Sequence, residues 1–77
     1  MLHYLGRAAR RARKRAGLRQ IDIATTAGVS HTIISSFELA AAWPERLDEI
    51  LEAYAEETGR EQIDLWSDAL ELWRADL

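Results

Sequence analysis

The stretch Gln20–Glu38, QIDIATTAGVSHTIISSFE, decides how this chain folds. Its apolar residues recur at helical spacing on both sides of Gly28, which predicts two short helices joined by a tight turn. Gly28 stands at the corner, where a positive φ is favourable for glycine and costly for a residue with a Cβ atom. Ser30 is a good N-cap for the second helix, whose Ile34 and Phe37 repeat at i and i+3 and are expected to be buried.

Two helices joined in this way form a helix-turn-helix, a motif that can place its second helix in the major groove of DNA. The motif needs a small residue where the helices cross, and Ala24 fills that place before Gly28. The positions between the buried ones must be polar and short enough to reach base edges. In the second helix, these positions are His31, Thr32, Ser35 and Ser36.

The rest of the chain is also helical in pattern, since no run alternates apolar and polar residues for long enough to be a half-buried strand. The sequence predicts one all-α domain over residues 1–77, with five helices. The first helix runs over about residues 5–16, the helix-turn-helix over about 20–38, and the last helix over about 61–75. The fourth is expected to begin near Pro44, whose missing N–H costs little in a first turn, and to end at Gly59.

Composition excludes several classes of function. The chain has 77 residues and no Cys, so it is expected to form one domain without disulfides or thiolate metal sites, which suits a reducing cytosol. It has no run of about 18 apolar residues that would span a membrane. No constellation of His, acidic and Ser side chains indicates a metal site, a cofactor, a small-molecule ligand or an enzyme.

Charge is distributed unevenly along the chain. Residues 1–38 carry seven Lys or Arg against two acidic side chains, whereas residues 39–77 carry three against eleven. The net charge of −3 therefore conceals a basic first half and an acidic second half. A polyanion such as DNA would be attracted to the first half and repelled by the second. Charge alone leaves open the alternative that both halves are simply solvated helices.

The last predicted helix carries two apolar rows, which is more than one side of a terminal helix usually needs. The first row consists of Ile63, Trp66, Leu70, Trp73 and Leu77. The second row consists of Leu65, Ala69 and Leu72. One row can pack on the domain, and we expect the first to form the face of a homodimer, with burial in the core as the alternative.

Several of these residues stand at fixed spacing from one another. They are the run RKRAGLRQ, which ends at Gln20, followed by Ala24, Gly28, Ser30, Ile34, Glu38 and Pro44. In these positions, and over about residues 5–72, the chain resembles the Cro/C1-type (XRE-like) helix-turn-helix proteins of phages and bacteria. The resemblance implies a compact lambda-repressor-like domain that binds double-stranded DNA in the cytoplasm of a bacterium or of a phage-infected host. It also implies a Cro-like or short immunity repressor that occupies a palindromic operator as a dimer.

The resemblance further implies roles for individual residues. Those expected to contact bases are His31, Thr32, Ser35 and Ser36. Those expected to contact the DNA backbone are Gln20, Arg10, Lys14 and Arg19. Arg13 and Glu38 match a structural ion pair between the first and third helices. For the other basic residues of the first helix, plain solvation is the alternative to phosphate contact.

The chain departs from the family after Glu38, where the family usually has a Gly that stops the recognition helix. Here residues 39–42 are Leu-Ala-Ala-Ala, all compatible with helix. We therefore expect the third helix to run a turn longer, or to end without a residue in the left-handed conformation. The loop that follows is apolar and has no Lys or Arg, so phosphate contacts there would rest on backbone N–H groups.

A second interpretation assigns the chain a different class of function, that of a protein-interaction module on the same fold. The acidic second half and the Trp-bearing last helix would then bind a partner protein, such as a toxin or a polymerase. The two interpretations differ in salt dependence, because contacts with the DNA backbone weaken steeply as the salt concentration rises.

Overall fold

The computed structural model of the protein covers residues 1–77 and contains five helices and no strand. The helices are α1 (Leu2–Arg15), α2 (Gln20–Ala27), α3 (His31–Glu38), α4 (Leu47–Thr58) and α5 (Gln62–Ala75). The prediction of an all-α domain with five helices is therefore confirmed. None of these helices has the length and apolar composition needed to cross a lipid bilayer.

The first helix, α1, begins at Leu2 rather than at Leu5, because Leu2 and Tyr4 also pack partly against the core. Gly6 lies inside this helix and not at its end. A Cβ atom at Gly6 would lie 2.6 Å from the carbonyl oxygen of Phe37 on α3. Real Cβ atoms do not come this close to a backbone oxygen, so α1 and α3 can approach each other only with glycine at this position.

The fourth helix, α4, begins at Leu47 rather than near Pro44. Arg46 has a non-helical backbone conformation, with φ −108° and ψ 48°. Its guanidinium donates hydrogen bonds to the carbonyl oxygens of Gly28 (3.0 Å) and Ala27 (3.3 Å) at the end of α2. This contact holds the segment before Leu47 against α2 and outside the helix.

One apolar core lies between the helices, with α1 packed mainly on α5 and α2 on α4. Because α1 contributes mostly alanines, its neighbours approach closely and supply the larger side chains. The largest fully buried side chains are Leu5, Ile23, Ile34, Phe37, Ile50, Leu51, Tyr54 and Leu65. Burial of these groups, at roughly 1.5–3 kcal/mol each, is the main favourable contribution to holding the helices together.

The corner between α2 and α3 has the geometry that the sequence predicts. Gly28 adopts φ 70°, in the left-handed region. The N–H of Val29 donates to the carbonyl oxygen of Ala24 at 3.1 Å, which closes the end of α2. The hydroxyl of Ser30 accepts a long hydrogen bond of 3.4 Å from the N–H of Ile33 and so caps α3.

The end of α3 contains a left-handed residue that is not glycine. Ala40 adopts φ 56° and is the only non-glycine residue of the chain with a positive φ. The N–H of Ala41 donates to the carbonyl of Ser36 (2.9 Å), and the N–H of Ala40 donates to that of Phe37 (3.1 Å), which is the Schellman pattern. Both expectations for this helix end are therefore wrong: α3 stops at Glu38, and a left-handed residue does close it.

Replacing Ala40 by Gly should raise the free energy of unfolding by about 1 kcal/mol, because glycine adopts this conformation without the steric cost of a Cβ atom. Thermal unfolding followed by circular dichroism should show a midpoint higher by roughly 4–8 °C. Ala42→Gly is the matched control, since residue 42 has no positive φ and the substitution there brings no such gain. A midpoint for Ala40→Gly at or below the wild-type value would contradict the prediction.

Candidate nucleic-acid interface

One face of α3 is exposed and carries hydroxyl and aliphatic groups. Thr32, Ser36 and Leu39 share this face because they stand at i, i+4 and i+7. Thr32 and Leu39 are exposed, and Ser36 is half-buried. Ile34 and Phe37 lie on the opposite face and are buried in the core, which fixes the direction in which the exposed face points.

The two edges of this face differ in their surroundings. His31 and Ser35 lie along the edge that adjoins α1 and α2, with His31 exposed and Ser35 half-buried. Ile33 lies along the other edge, where its neighbours are Val29, Pro44, Glu45 and Arg46. The structure thus places the four predicted base-contacting residues on one side of α3.

Two further residues of this surface, Ile33 and Leu39, are absent from the sequence-based set of contacts. Both are exposed although they are large and apolar. The signal for them was present in the sequence, because neither falls on the row of buried positions that Ile34 and Phe37 define.

A buried polar network lies directly behind this surface and is centred on the Glu38 carboxylate. Arg13 donates to it twice, from Nε at 2.7 Å and from Nη2 at 2.9 Å, so the predicted ion pair is present. The Tyr54 hydroxyl donates at 2.6 Å and the Gln20 amide at 3.0 Å. A further Arg13 nitrogen donates to the carbonyl oxygen of Leu18 at 2.9 Å. The network therefore joins α1, α2, α3 and α4.

Protonation in this network follows from burial and hydrogen bonding. Burial by itself would raise the pKa of the Glu38 carboxyl, but the hydrogen bonds from Arg13, Tyr54 and Gln20 outweigh it and lower the pKa. Glu38 is therefore ionised at neutral pH. Burial, together with the hydrogen bond to the Glu38 carboxylate, raises the pKa of the Tyr54 hydroxyl, which stays protonated and donates. Every buried polar side-chain atom has a partner, so the network is complete.

Gln20 connects the buried network to the exposed edge of α3. Its Nε2 donates to Glu38, so its Oε1 is the atom that faces His31 Nε2 at 2.6 Å. An amide oxygen can only accept, so the hydrogen of this bond lies on His31 Nε2. Both ends of the Gln20 amide are thus engaged within the protein. A phosphate contact from this residue would use its backbone N–H in the first turn of α2.

The cationic side chains of α1 form a separate surface, the basic face. It consists of Arg7, Arg10, Arg11, Lys14 and Arg15, which line an open depression of about 430 Å³. Arg7 pairs with Asp76 at 3.5 Å, whereas the other four make no ion pair within the chain. Arg19, another predicted backbone contact, bonds to Asp22 at 3.1 Å. The predicted backbone contacts on α1 are therefore free to meet an anion, whereas Arg19 is engaged locally.

Tyr54 and Arg46 position this region, and sequence reasoning missed both. Tyr54 follows Ile50 and Leu51 at i+4 and i+3, on the buried face of α4. The available signal was that a buried Tyr hydroxyl usually needs a partner. The Arg46 guanidinium adds a cation at the C-terminal end of α2, where it complements the helix dipole. No local pattern predicts this contact, because its acceptors lie 18 and 19 residues earlier in the chain.

The two apolar rows of α5 take different positions. In the second row, Leu65 and Ala69 are fully buried and Leu72 packs against the core, so this row faces the domain. The exposed members of the first row are Ile63, Leu70, Trp73 and Leu77. Trp66 differs from them, because it is half-buried and packs against the core.

Comparison of the chain with protein-family models, with curated proteins and with solved structures finds no match. No group of three or more His, Asp or Glu side chains could hold a metal ion.

Proposed function

We propose that the protein is a sequence-specific double-stranded DNA-binding transcriptional regulator, a repressor that occupies a palindromic operator as a homodimer. The observation that carries this proposal is the α2–α3 corner. There, a hydroxyl-bearing helix face is held from behind by the buried Arg13–Glu38 pair. Unpaired cations of the basic face lie on α1, the helix that supplies Arg13. The first surface suits base edges, and the second suits phosphates.

Base contacts come from the exposed face of α3 in this proposal. The hydroxyl groups of Thr32 and Ser36 can both donate and accept hydrogen bonds. His31 can accept through Nδ1 from the exocyclic amino group of adenine or cytosine. Because Gln20, which is itself bonded to Glu38, already holds His31 in place, the His31 ring loses little conformational freedom on binding.

A homodimer is part of the proposal because one recognition helix reaches only a few base pairs. The exposed row of α5 offers an apolar face that a second copy could cover. A two-fold pair is the simplest closed arrangement, since identical patches then cover each other. The operator would mirror that symmetry and be palindromic.

The same α5 surface also favours a second candidate function, a protein-interaction module. Trp73 is exposed there on α5. The neighbouring helix α4 has Asp48 and Glu49 in its first turn and is acidic along its exposed side. A partner protein with apolar and basic groups, such as a toxin or a polymerase, would fit this surface. In that case the protein should not bind random duplex DNA even at low salt, where phosphate contacts are strongest.

Selection of bound sites from random duplex DNA tests the proposed function most directly. We expect a palindromic consensus whose half-site centres lie about one helical turn apart, roughly 34 Å. Binding to random duplex DNA should weaken steeply with rising salt, since each phosphate contact releases counterions. Absence of binding at low salt would contradict the proposal and favour the protein-interaction module.

Replacing His31, Thr32 or Ser36 by Ala should weaken binding to the selected operator by roughly 1–3 kcal/mol and change binding to random DNA little. Fluorescence anisotropy on both DNAs measures the difference. Thr26→Ala is the matched control, because the Thr26 hydroxyl donates to Glu57 on α4 at 3.1 Å and is directed at that helix. Equal losses of affinity for operator and random DNA would contradict the assignment of these residues to base contacts.

A further inference from the structure

Two large aliphatic side chains are exposed on the same helix surface as the hydroxyl groups. Leu39 is 74% exposed and continues the row of Thr32 and Ser36, while Ile33 is 41% exposed at the edge of that row. A single exposed aliphatic residue is ordinary on a protein surface. Here Ile33 lies on the helix that the proposed function places in the major groove, and Leu39 is the C-cap residue of that helix. Their chemistry therefore bears on which bases the helix can read.

The segment around them has no exposed charge. From residue 23 to residue 44, the only Asp, Glu, Lys or Arg is Glu38, which is 5% exposed and bonded within the network. In the whole chain, by contrast, 30% of residues are charged. The exposed face of α3 therefore carries no charge of its own. The charged neighbours of Ile33 are Glu45 and Arg46 in the next segment. The Arg46 guanidinium is already bonded to the end of α2 and to Glu49.

Absence of charge restricts which bases this surface can recognise. Guanine is most often read by Arg or Lys, cytosine by Asp or Glu, and adenine by the paired donor and acceptor of Asn or Gln. None of these side chains lies on the exposed face of α3. The groups that remain are hydroxyls, one imidazole, and aliphatic carbon, whose partner in the major groove is the C5 methyl group of thymine.

From this we infer that Ile33 and Leu39 are specificity-determining residues that contact thymine methyl groups, so that the operator half-site is rich in thymine. The inference rests on the proposed function and names the bases that the α3 surface selects. Residues 33 and 39 are separated by about 9 Å along the helix axis. They therefore meet different base pairs, and each should set a preference at its own position of the half-site.

The test substitutes deoxyuridine for thymine, one position at a time, in the operator obtained by selection. Deoxyuridine keeps the base pairing and the O4 acceptor and lacks only the C5 methyl group. We expect the wild-type protein to bind about fourfold more weakly at each position where Ile33 or Leu39 covers a methyl. That factor corresponds to removing one methylene-sized group from an apolar contact.

Alanine variants assign the effect to the two side chains. Ile33→Ala and Leu39→Ala should each bind the thymine and deoxyuridine operators equally at the position that the missing side chain covers. Ile21→Ala is the matched control, because Ile21 is 45% exposed but lies on α2, outside the exposed face of α3. This control should keep the full preference for thymine. All three substitutions are at exposed positions, and unchanged melting temperatures would show that the fold is intact.

The outcomes separate the inference from the proposed function. If the wild-type protein selects an operator but tolerates deoxyuridine at every position, the inference is overturned and the proposed function stands. If the preference for thymine persists in both Ile33→Ala and Leu39→Ala, another side chain reads the methyl groups and the assignment is overturned. If no operator is selected at all, the proposed function fails as well, and the aliphatic residues belong to a surface for another partner.

Discussion

Glu38→Gln is expected to lower the free energy of unfolding by about 3–5 kcal/mol, because it leaves the Arg13 cation buried without its counter-charge. Arg13 and Glu38 are only 7% and 5% exposed, so water cannot replace the lost partner. Hydrogen bonds from Arg13, Tyr54 and Gln20 all end on this carboxylate, and an amide offers only one oxygen to accept them. Urea unfolding followed by circular dichroism measures the loss.

Two further variants show whether this loss comes from the ion pair. Glu56→Gln removes the same charge from an exposed position of α4 and should change stability by less than about 0.5 kcal/mol. Combining Arg13→Gln with Glu38→Gln should cost less than the sum of the two single losses, because the second substitution removes the uncompensated cation. Strict additivity would show that the two charges are not coupled.

Stability should also depend on pH through the same carboxylate. Although burial opposes them, the hydrogen bonds from Arg13, Tyr54 and Gln20 hold the pKa of Glu38 below its ordinary value of 4.5. A lowered folded-state pKa contributes stability above the unfolded-state pKa, and this contribution is lost as the pH falls through the folded-state pKa. The difference in stability between wild type and Glu38→Gln should therefore shrink below about pH 4.5. A difference that stays constant at acidic pH would contradict the role given to Glu38.

Trp73→Ala is expected to convert a dimer into a monomer at micromolar concentration and to weaken operator binding at least about 100-fold. Trp73 is 40% exposed, and its indole is the largest group of the exposed α5 row. Without the dimer, the second half-site is no longer bound at high effective concentration. Random DNA is held by phosphate contacts that each subunit makes separately, so its binding should weaken much less.

Sedimentation velocity at micromolar concentration decides the oligomeric state. Trp43→Ala is the matched control, since Trp43 is 53% exposed but lies outside α5, and this variant should stay dimeric. Trp66→Ala is a poorer test, because Trp66 packs partly against the core and its loss would disturb folding as well. A monomeric wild-type protein would refute the free dimer and leave only assembly on DNA.

The parts of the candidate site that depend only on residues close together along the chain could be predicted from the sequence. The bounds of α2, the positive φ of Gly28 and the Ser30 cap all follow from interactions within a few residues along the chain. The Arg13–Glu38 pair spans 25 residues, and it was the resemblance to a known family that indicated it. The partners of that pair from α2 and α4 could not be predicted, because periodicity shows that a residue is buried and not which polar atom it meets.

By itself, then, the sequence determined that the chain forms five helices with a corner at Gly28 and a basic half followed by an acidic one. Hydrophobic periodicity, the backbone freedom of glycine and the charge of a side chain depend on residue type and order along the chain, and not on tertiary contacts. Only the tertiary structure decided where α3 stops. Helix propensity favours continuing through the alanines, yet the chain turns at Ala40, which lets α4 return to pack on α2. Burying Ile50 and Leu51 on α4 is worth roughly 1.5–3 kcal/mol each, which exceeds the roughly 1–2 kcal/mol that a left-handed alanine costs.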